Sequence, residues 1–162
     1  MKKSLLWLLI GGIVYYAIEG IWRQLTGSAP PHVAMMGIGG LCFVAVGGIN
    51  QIPRFYETPM RLQALAGAVI VLAVELLSGL VCNVWLGWRL WDYSHMPFNL
   101  MGQICLLYGF LWVLLMPFAV WLEDRVNWYY ETAHGRAARY NYTLREAYKW
   151  LLCGERQKEA RG

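Results

Sequence analysis

Residues 62–88, "LQALAGAVIVLAVELLSGLVCNVWLGW", carry a single charge, Glu75. An α-helix needs about 20 apolar residues to cross the ~30 Å hydrocarbon core of a bilayer, so this stretch reads as a membrane span with one acid in its middle. Residues 99–121 contain no charged side chain at all and predict a second span, Asn99–Trp121. Working outward, "SLLWLLIGGIVYYAIEGIW" predicts a span over Ser4–Trp22, and a glycine-rich apolar stretch predicts another over Val33–Ile52. The expected fold is therefore all-α: a polytopic membrane protein with a four-transmembrane-helix bundle over residues 1–122. Residues 123–162 form a basic cytoplasmic tail.

Composition agrees. Of the 162 residues, 58% are hydrophobic and 15% charged, and the mean hydropathy is +0.38. Soluble domains have about 25% charged residues. The formal net charge of +4 raises the question of nucleic acid, but the basic residues flank apolar spans, and no nucleic-acid partner is expected. With the N-terminus inside, the cytoplasmic segments hold Lys2, Lys3, Arg54, Arg61 and all the basic residues after Leu122, whereas the outer loops hold only Arg23 and Arg89. That asymmetry predicts a multi-pass protein of the cell membrane with both termini cytoplasmic. The basic, apolar start "MKKSLLWLLIGG" mimics a signal peptide, but Tyr15, Tyr16 and Glu19 follow where a small-x-small cleavage site would lie. Trp and Tyr gather at the span ends, as interfacial anchors do.

Ionisable groups inside a span are costly and usually face a partner or a wet cavity. Glu75 sits mid-span, and Ser78, Gly79 and Cys82 extend a small, slightly polar stripe along its helix, with Asn83 further out. Glu19 lies in the outer part of the first helix, with Arg23 four residues on, a spacing that allows an ion pair. The third and fourth spans are joined by "RLWDYSHMPFNLMGQICL", residues 89–106. Its Asp92, His95, Asn99 and Gln103, with Glu75, Glu19 and Asn83, are expected to converge on one outward-facing polar pocket. The plain alternative is that the two glutamates only hold helices together and the histidines are loop residues. Gly37, Gly39, Gly40, Gly47 and Gly48 predict close helix packing.

The halves echo one another weakly: Pro31, Met36, Gly37 and Cys42 in the first, Pro97, Met101, Gly102 and Cys105 in the second. They are either two parallel two-helix repeats or a chance likeness. In the tail, "TLREAYKWLL" has Thr143 and Glu146 at capping-box spacing and Leu144, Tyr148, Leu151 and Leu152 near helical period. It predicts a short amphipathic helix on the cytoplasmic leaflet, with Arg136, Arg139, Arg145, Lys149 and Trp150 as lipid or partner contacts. The cysteines have no metal or disulfide spacing, and neither metal nor cofactor is expected. Nucleotide-binding, nucleophile-elbow and zincin motifs are absent, so the chain is not expected to be an enzyme; a membrane enzyme using Glu75 or Asp92 with His95 is the remote alternative.

With these residues in place, the chain resembles the ABC-transporter permease family called ABC-transporter type IV membrane proteins. The likeness rests on Glu75, Asn83-Val84-Trp85-Leu86-Gly87, Trp91-Asp92-Tyr93-Ser94, Pro97-Phe98-Asn99 and Gly102-Gln103-Ile104-Cys105-Leu106. In the first half it rests on Glu19, Trp22-Arg23, His32, Gly39-Gly40-Leu41-Cys42-Phe43 and Asn50. It covers roughly residues 5 to 125 and implies a permease-like or transport-associated subunit. Four spans are few for a permease half, so it also implies either a homo-oligomer or partner chains, with the ATP-hydrolysing subunit a separate chain. The rival reading is a membrane adaptor or sensor that works through its tail.

Overall fold

The computed structural model describes residues 3–136 and 142–154. Its elements are α1 (Lys3–Thr26), α2 (Ala34–Asn50), the one-turn α3 (Pro53–Tyr56), α4 (Met60–Gly79), a π-helical turn (Leu80–Trp85), β1 (Asn99–Leu100), β2 (Ile104–Cys105), α5 (Leu106–Ala133) and α6 (Leu144–Cys153). Among the described residues three helical segments are long and apolar enough to cross a membrane: Lys3–Thr26, Met60–Trp85 and Leu106–Ala133. The apolar α2 is shorter, at 17 residues.

Helical spacing explains the core. Met60, Ala64, Ala68 and Val71 recur every three or four residues along α4 and are buried against Met35, Ile38, Cys42 and Val46 of α2 and Met116 and Val120 of α5. Glu75 continues that same stripe one turn further and is 4% exposed. The acid thus faces the protein interior, not lipid.

α1 and α2 form the most intimate pair. A methyl group on Gly12 would lie 2.5 Å from the Met36 carbonyl oxygen, and one on Gly40 would lie 2.5 Å from the Leu8 carbonyl oxygen. Both contacts are with backbone, which cannot swing aside. The expected glycine packing holds at Gly39, Gly40 and Gly47 but not at Gly37 or Gly48, which have open space beside them. Gly40→Ala is therefore expected to cost about 1–3 kcal/mol through overpacking. Gly37→Ala is expected to be neutral or slightly stabilising, because alanine is the better helix former. Thermal unfolding in detergent separates the two.

The last helix begins later than the sequence predicts. Residues 99–105 form a small antiparallel hairpin, Asn99 opposite Cys105 and Leu100 opposite Ile104, and α5 starts only at Leu106. Phe98, Met101 and Gly102 take positive φ (54°, 54° and 70°), which a helix cannot accommodate. The Asn99 carboxamide fixes the turn: Nδ2 donates to the Ser94 and Met96 carbonyls, and Oδ1 accepts from the Gly102 amide. The two-fold echo loses its local basis here, since Met36–Gly37 is helical whereas Met101–Gly102 is a turn. At its other end α5 runs unbroken through Leu122 to Ala133.

α6 has the expected capping box: the Glu146 amide donates to Thr143 Oγ1, and the Glu146 carboxylate accepts from the Thr143 amide at 2.6 Å. Its apolar face packs on α4 and α5, with Ala147 fully buried. Arg61 of α4 closes its C-terminus by donating to the carbonyls of Leu151 (2.8 Å) and Leu152, next to Gly154 in the left-handed region. Thr143→Ala is expected to cost about 1 kcal/mol of α6 stability, read as faster amide exchange in α6. The Thr143 backbone amide and hydroxyl hold the Glu146 carboxyl below its usual range. A folded-state value below the unfolded one stabilises α6 fully at neutral pH, and that support is lost as the pH falls to roughly 4 and below.

Candidate functional site

Glu75 bridges three helices. Its Oε1 accepts from the Tyr15 hydroxyl of α1 at 3.4 Å, and its Oε2 accepts from Trp112 Nε1 of α5 at 3.0 Å. The Tyr15 and Trp112 rings stack at 5.7 Å and 16°. Both donors are neutral, and among the described residues no Lys, Arg or His forms an ion pair with Glu75. A small apolar cleft of about 60 Å³ lies beside Tyr15 and Trp112, between α1, α2 and α5.

At the hairpin end of the bundle a larger cavity, about 390 Å³, opens among α1, the 89–96 loop and the start of α5. Glu19, Asp92 and His95 line it, together with Arg23, Arg89 and the rings of Trp22, Trp91, Tyr93 and Tyr108. Glu19 accepts from Arg23 Nε at 2.7 Å. Arg23 spends its other donors on the carbonyls of Ala29 (3.1 Å) and Leu90 (2.7 Å). The Ser94 amide and side chain, bonded to Asp92, hold that carboxyl below its usual range. Burial, with Glu75 and Glu19 nearby, pushes the Tyr93 hydroxyl up, so it stays protonated.

The single pocket expected from the sequence is thus divided. Asn83 and Gln103 do not line the cavity; they brace it. Asn83 Nδ2 donates to Gln103 Oε1 (2.8 Å) and to the Trp91 carbonyl (3.1 Å), while Asn83 Oδ1 accepts from the Leu90 amide (2.6 Å). Trp91 Nε1 donates to the Gln103 carbonyl. The π-helical turn places Asn83 for this, and the lack of a side chain on Gly79 leaves room for Gln103 against it. Asn99 serves the hairpin turn, and Glu75 lies apart behind Tyr15 and Trp112. Glu19 is captured by Arg23, four residues along its own helix, so the two glutamates make separate sites.

Of the tail residues, Arg145 and Lys149 are exposed on α6, and Arg136 is exposed beside its ion-pair partner Glu131. Arg139 lies outside the described residues. Trp150 requires correction: it is 7% exposed and packs against Tyr142 at 4.8 Å, an internal contact and not one offered to lipid or a partner.

A polar clamp that sequence reasoning missed sits at the opposite end of the bundle. Glu123 and Asp124 of α5 are 0% and 4% exposed. Glu123 accepts from the amides of Asn50, Gln51 (2.9 Å) and Asn127. Asp124 accepts from Asn50 (3.2 Å) and from the Tyr142 hydroxyl (2.8 Å). Trp121 Nε1 and Arg125 donate to the Tyr142 carbonyl, each at 3.0 Å. α2, α5 and the segment leading into α6 are tied together here. Asn50, the last residue of an otherwise apolar helix, was the available signal.

Three long apolar helices, with an acid buried among them, fit a membrane protein. Residues 29–143 match the family described as "Putative ABC-transporter type IV", well over half of the chain, and the chain belongs to that family. The match starts beyond α1 and extends past the expected tail boundary through α5 to Thr143. No curated protein and no solved structure matches the chain.

Proposed function

We propose that the chain is the membrane-embedded, permease-like subunit of an ABC-type transporter. In this reading α1, α2, α4 and α5 all cross the bilayer, α2 at the short end of the 17–25 residues that suffice. Both termini are cytoplasmic and the cavity opens outward. A separate ATP-hydrolysing subunit energises the assembly, which contains more than one copy of this chain. Neither a cofactor nor covalent chemistry is part of the proposal.

The observation that carries it is Glu75. A carboxyl in the middle of a membrane span is retained at a cost, and structural glue alone could be built from uncharged residues. Here it is held by two neutral donors from two other helices, Tyr15 and Trp112, and among the described residues no cation pairs with it. Binding or release of a proton or small cation at Glu75 would change both hydrogen bonds, and with them the packing of α1 and α5 against α4. That is a local switch of the kind an alternating transporter needs.

The adaptor reading draws support from the exposed Arg145 and Lys149 on a helix docked to the bundle. Affinity purification after co-expression with the cell's ATP-hydrolysing transporter subunits decides between them. The permease reading expects one such subunit to co-purify and its ATP hydrolysis rate to respond to this chain. The adaptor reading expects no such response, and a bound partner or anionic lipid that is lost in Arg145→Ala/Lys149→Ala.

A further inference from the structure

The cavity at the hairpin end has an unusual balance of groups. Two carboxylates, Glu19 and Asp92, two guanidiniums, Arg23 and Arg89, and the His95 imidazole line it together with several aromatic rings. At about 390 Å³ it lies at the small end of the ~300–1,000 Å³ range of small-molecule sites. Glu19 and Arg23 neutralise each other, and Arg23 is further committed to two backbone carbonyls. Arg89 and the part of the Asp92 carboxylate that the Ser94 amide does not take remain for a ligand, with His95 also in the wall.

Arg89 is the residue that calls for an explanation. Its φ is +51°, in the region that L side chains seldom adopt, and the residues on both sides are pinned: the Trp88 amide donates to the Cys82 carbonyl (2.8 Å) and the Leu90 amide to Asn83 Oδ1 (2.6 Å). Among the described residues Arg89 forms no ion pair of its own. A strained residue braced from both sides marks a position that the surrounding structure over-determines, and such positions cluster at ligand clamps. The aromatic wall is also ordered: Tyr93 stacks on Tyr108 at 4.5 Å, and Trp22 meets Tyr108 edge-on and donates to its hydroxyl at 3.2 Å. Aromatic faces attract organic ammonium groups.

We propose that this cavity binds a small zwitterion, its ammonium group against the Trp22–Tyr108–Tyr93 wall and Asp92, its anionic group on Arg89. A purely cationic ligand would meet the Arg89 guanidinium unpaired, and a purely anionic one would meet Asp92. The inference rests on the permease reading, in which the cavity receives substrate. The same chemistry occurs in free solutes such as amino acids and betaines and in zwitterionic lipid headgroups.

The test is tryptophan-fluorescence titration of the full chain in nanodiscs of anionic phosphatidylglycerol, with glycine betaine, a set of α-amino acids, choline and propionate as probes. Saturable binding of at least one zwitterion is expected, tenfold or more tighter than choline or propionate. Arg89→Gln should lower the zwitterion's affinity to that of choline, and Asp92→Asn should lower it to that of propionate. Arg89→Gly, which relieves the backbone, should raise the melting temperature while still losing the ligand; a merely structural arginine would do the reverse. Repeating the titration in phosphatidylcholine nanodiscs separates the sources: competition by the bilayer assigns the zwitterion to lipid headgroups, and unchanged affinity assigns it to a free solute. Absence of saturable zwitterion binding, equal binding of choline or propionate, or unaltered affinity in Arg89→Gln would overturn the proposal. Should that happen while transport still depends on Glu75, only the ligand class falls; binding without any transport would instead remove the permease reading.

Discussion

Replacing Glu123 with alanine is expected to abolish accumulation of the folded protein. The carboxylate is fully buried and accepts from at least three amides, those of Asn50, Gln51 and Asn127, which come from the end of α2, the residue after it and the next turn of α5. Alanine removes these acceptors together and leaves a void too small to solvate the donors. Asn50 keeps its bond to Asp124, but each bond lost at a buried N–H costs about 1–3 kcal/mol. Three of them approach the whole stability of an ordinary domain, about 5–15 kcal/mol. Glu123→Gln retains the volume and one acceptor oxygen, so it should fold with a lowered melting temperature. Size-exclusion chromatography in detergent and thermal unfolding of the two variants give the comparison. A monodisperse alanine variant melting like the parent would show that the clamp contributes little.

The second large effect is expected at Glu75. Glu75→Gln keeps an acceptor for Tyr15 or Trp112 but cannot exchange a proton or hold a cation. Folding should survive, while transport coupled to ATP hydrolysis should fall tenfold or more in proteoliposomes. Glu75→Leu leaves the Tyr15 hydroxyl and Trp112 Nε1 without their acceptor in a low-dielectric interior, which adds a loss of stability of about 1–3 kcal/mol per donor. Tyr15→Phe removes one donor and leaves the acid, so its effect on transport should be smaller than that of Glu75→Gln. Unchanged transport in Glu75→Gln would take the acid out of the mechanism and leave it as helix glue.

Three long apolar helices were legible because twenty-odd residues with at most one charge have few other readings, and the capping box because Thr143 and Glu146 satisfy each other locally. The burial of Glu75 was also within reach: it falls on the Met60–Ala64–Ala68–Val71 stripe, a face that spacing alone defines. The hairpin was not legible. Its cause is positive φ at Phe98 and Met101, residues that carry no turn signature, inside a stretch whose lack of charge reads as helix. The clamp was missed for the opposite reason. Glu123 and Asp124 follow an apolar run, where charges ordinarily mark the emergence of a span into water, but the end of α2 packs on Glu123 and the return of Tyr142 onto the helices covers Asp124. Trp150 follows from the same return: α6 is amphipathic, but the apolar surface that it covers is this protein's own. Of the seven residues expected to share a pocket, Glu19, Asp92 and His95 do line one cavity, whereas Asn83 and Gln103 bond each other, Asn99 holds the hairpin turn and Glu75 is taken up by Tyr15 and Trp112.

The four-span permease reading depends on α2 crossing the membrane between the cavity end and the clamp end, where Asn50 bonds Glu123. The parity of crossings can be measured. Ser28 lines the cavity and is exposed, and Cys153, at the end of α6, is an exposed free thiol. In single-cysteine variants of intact cells, a membrane-impermeant maleimide should label Ser28→Cys at once and Cys153 only after permeabilisation. Labelling of both from the same side would mean an odd number of crossings, with α2 lying at one face, and would contradict the four-span permease.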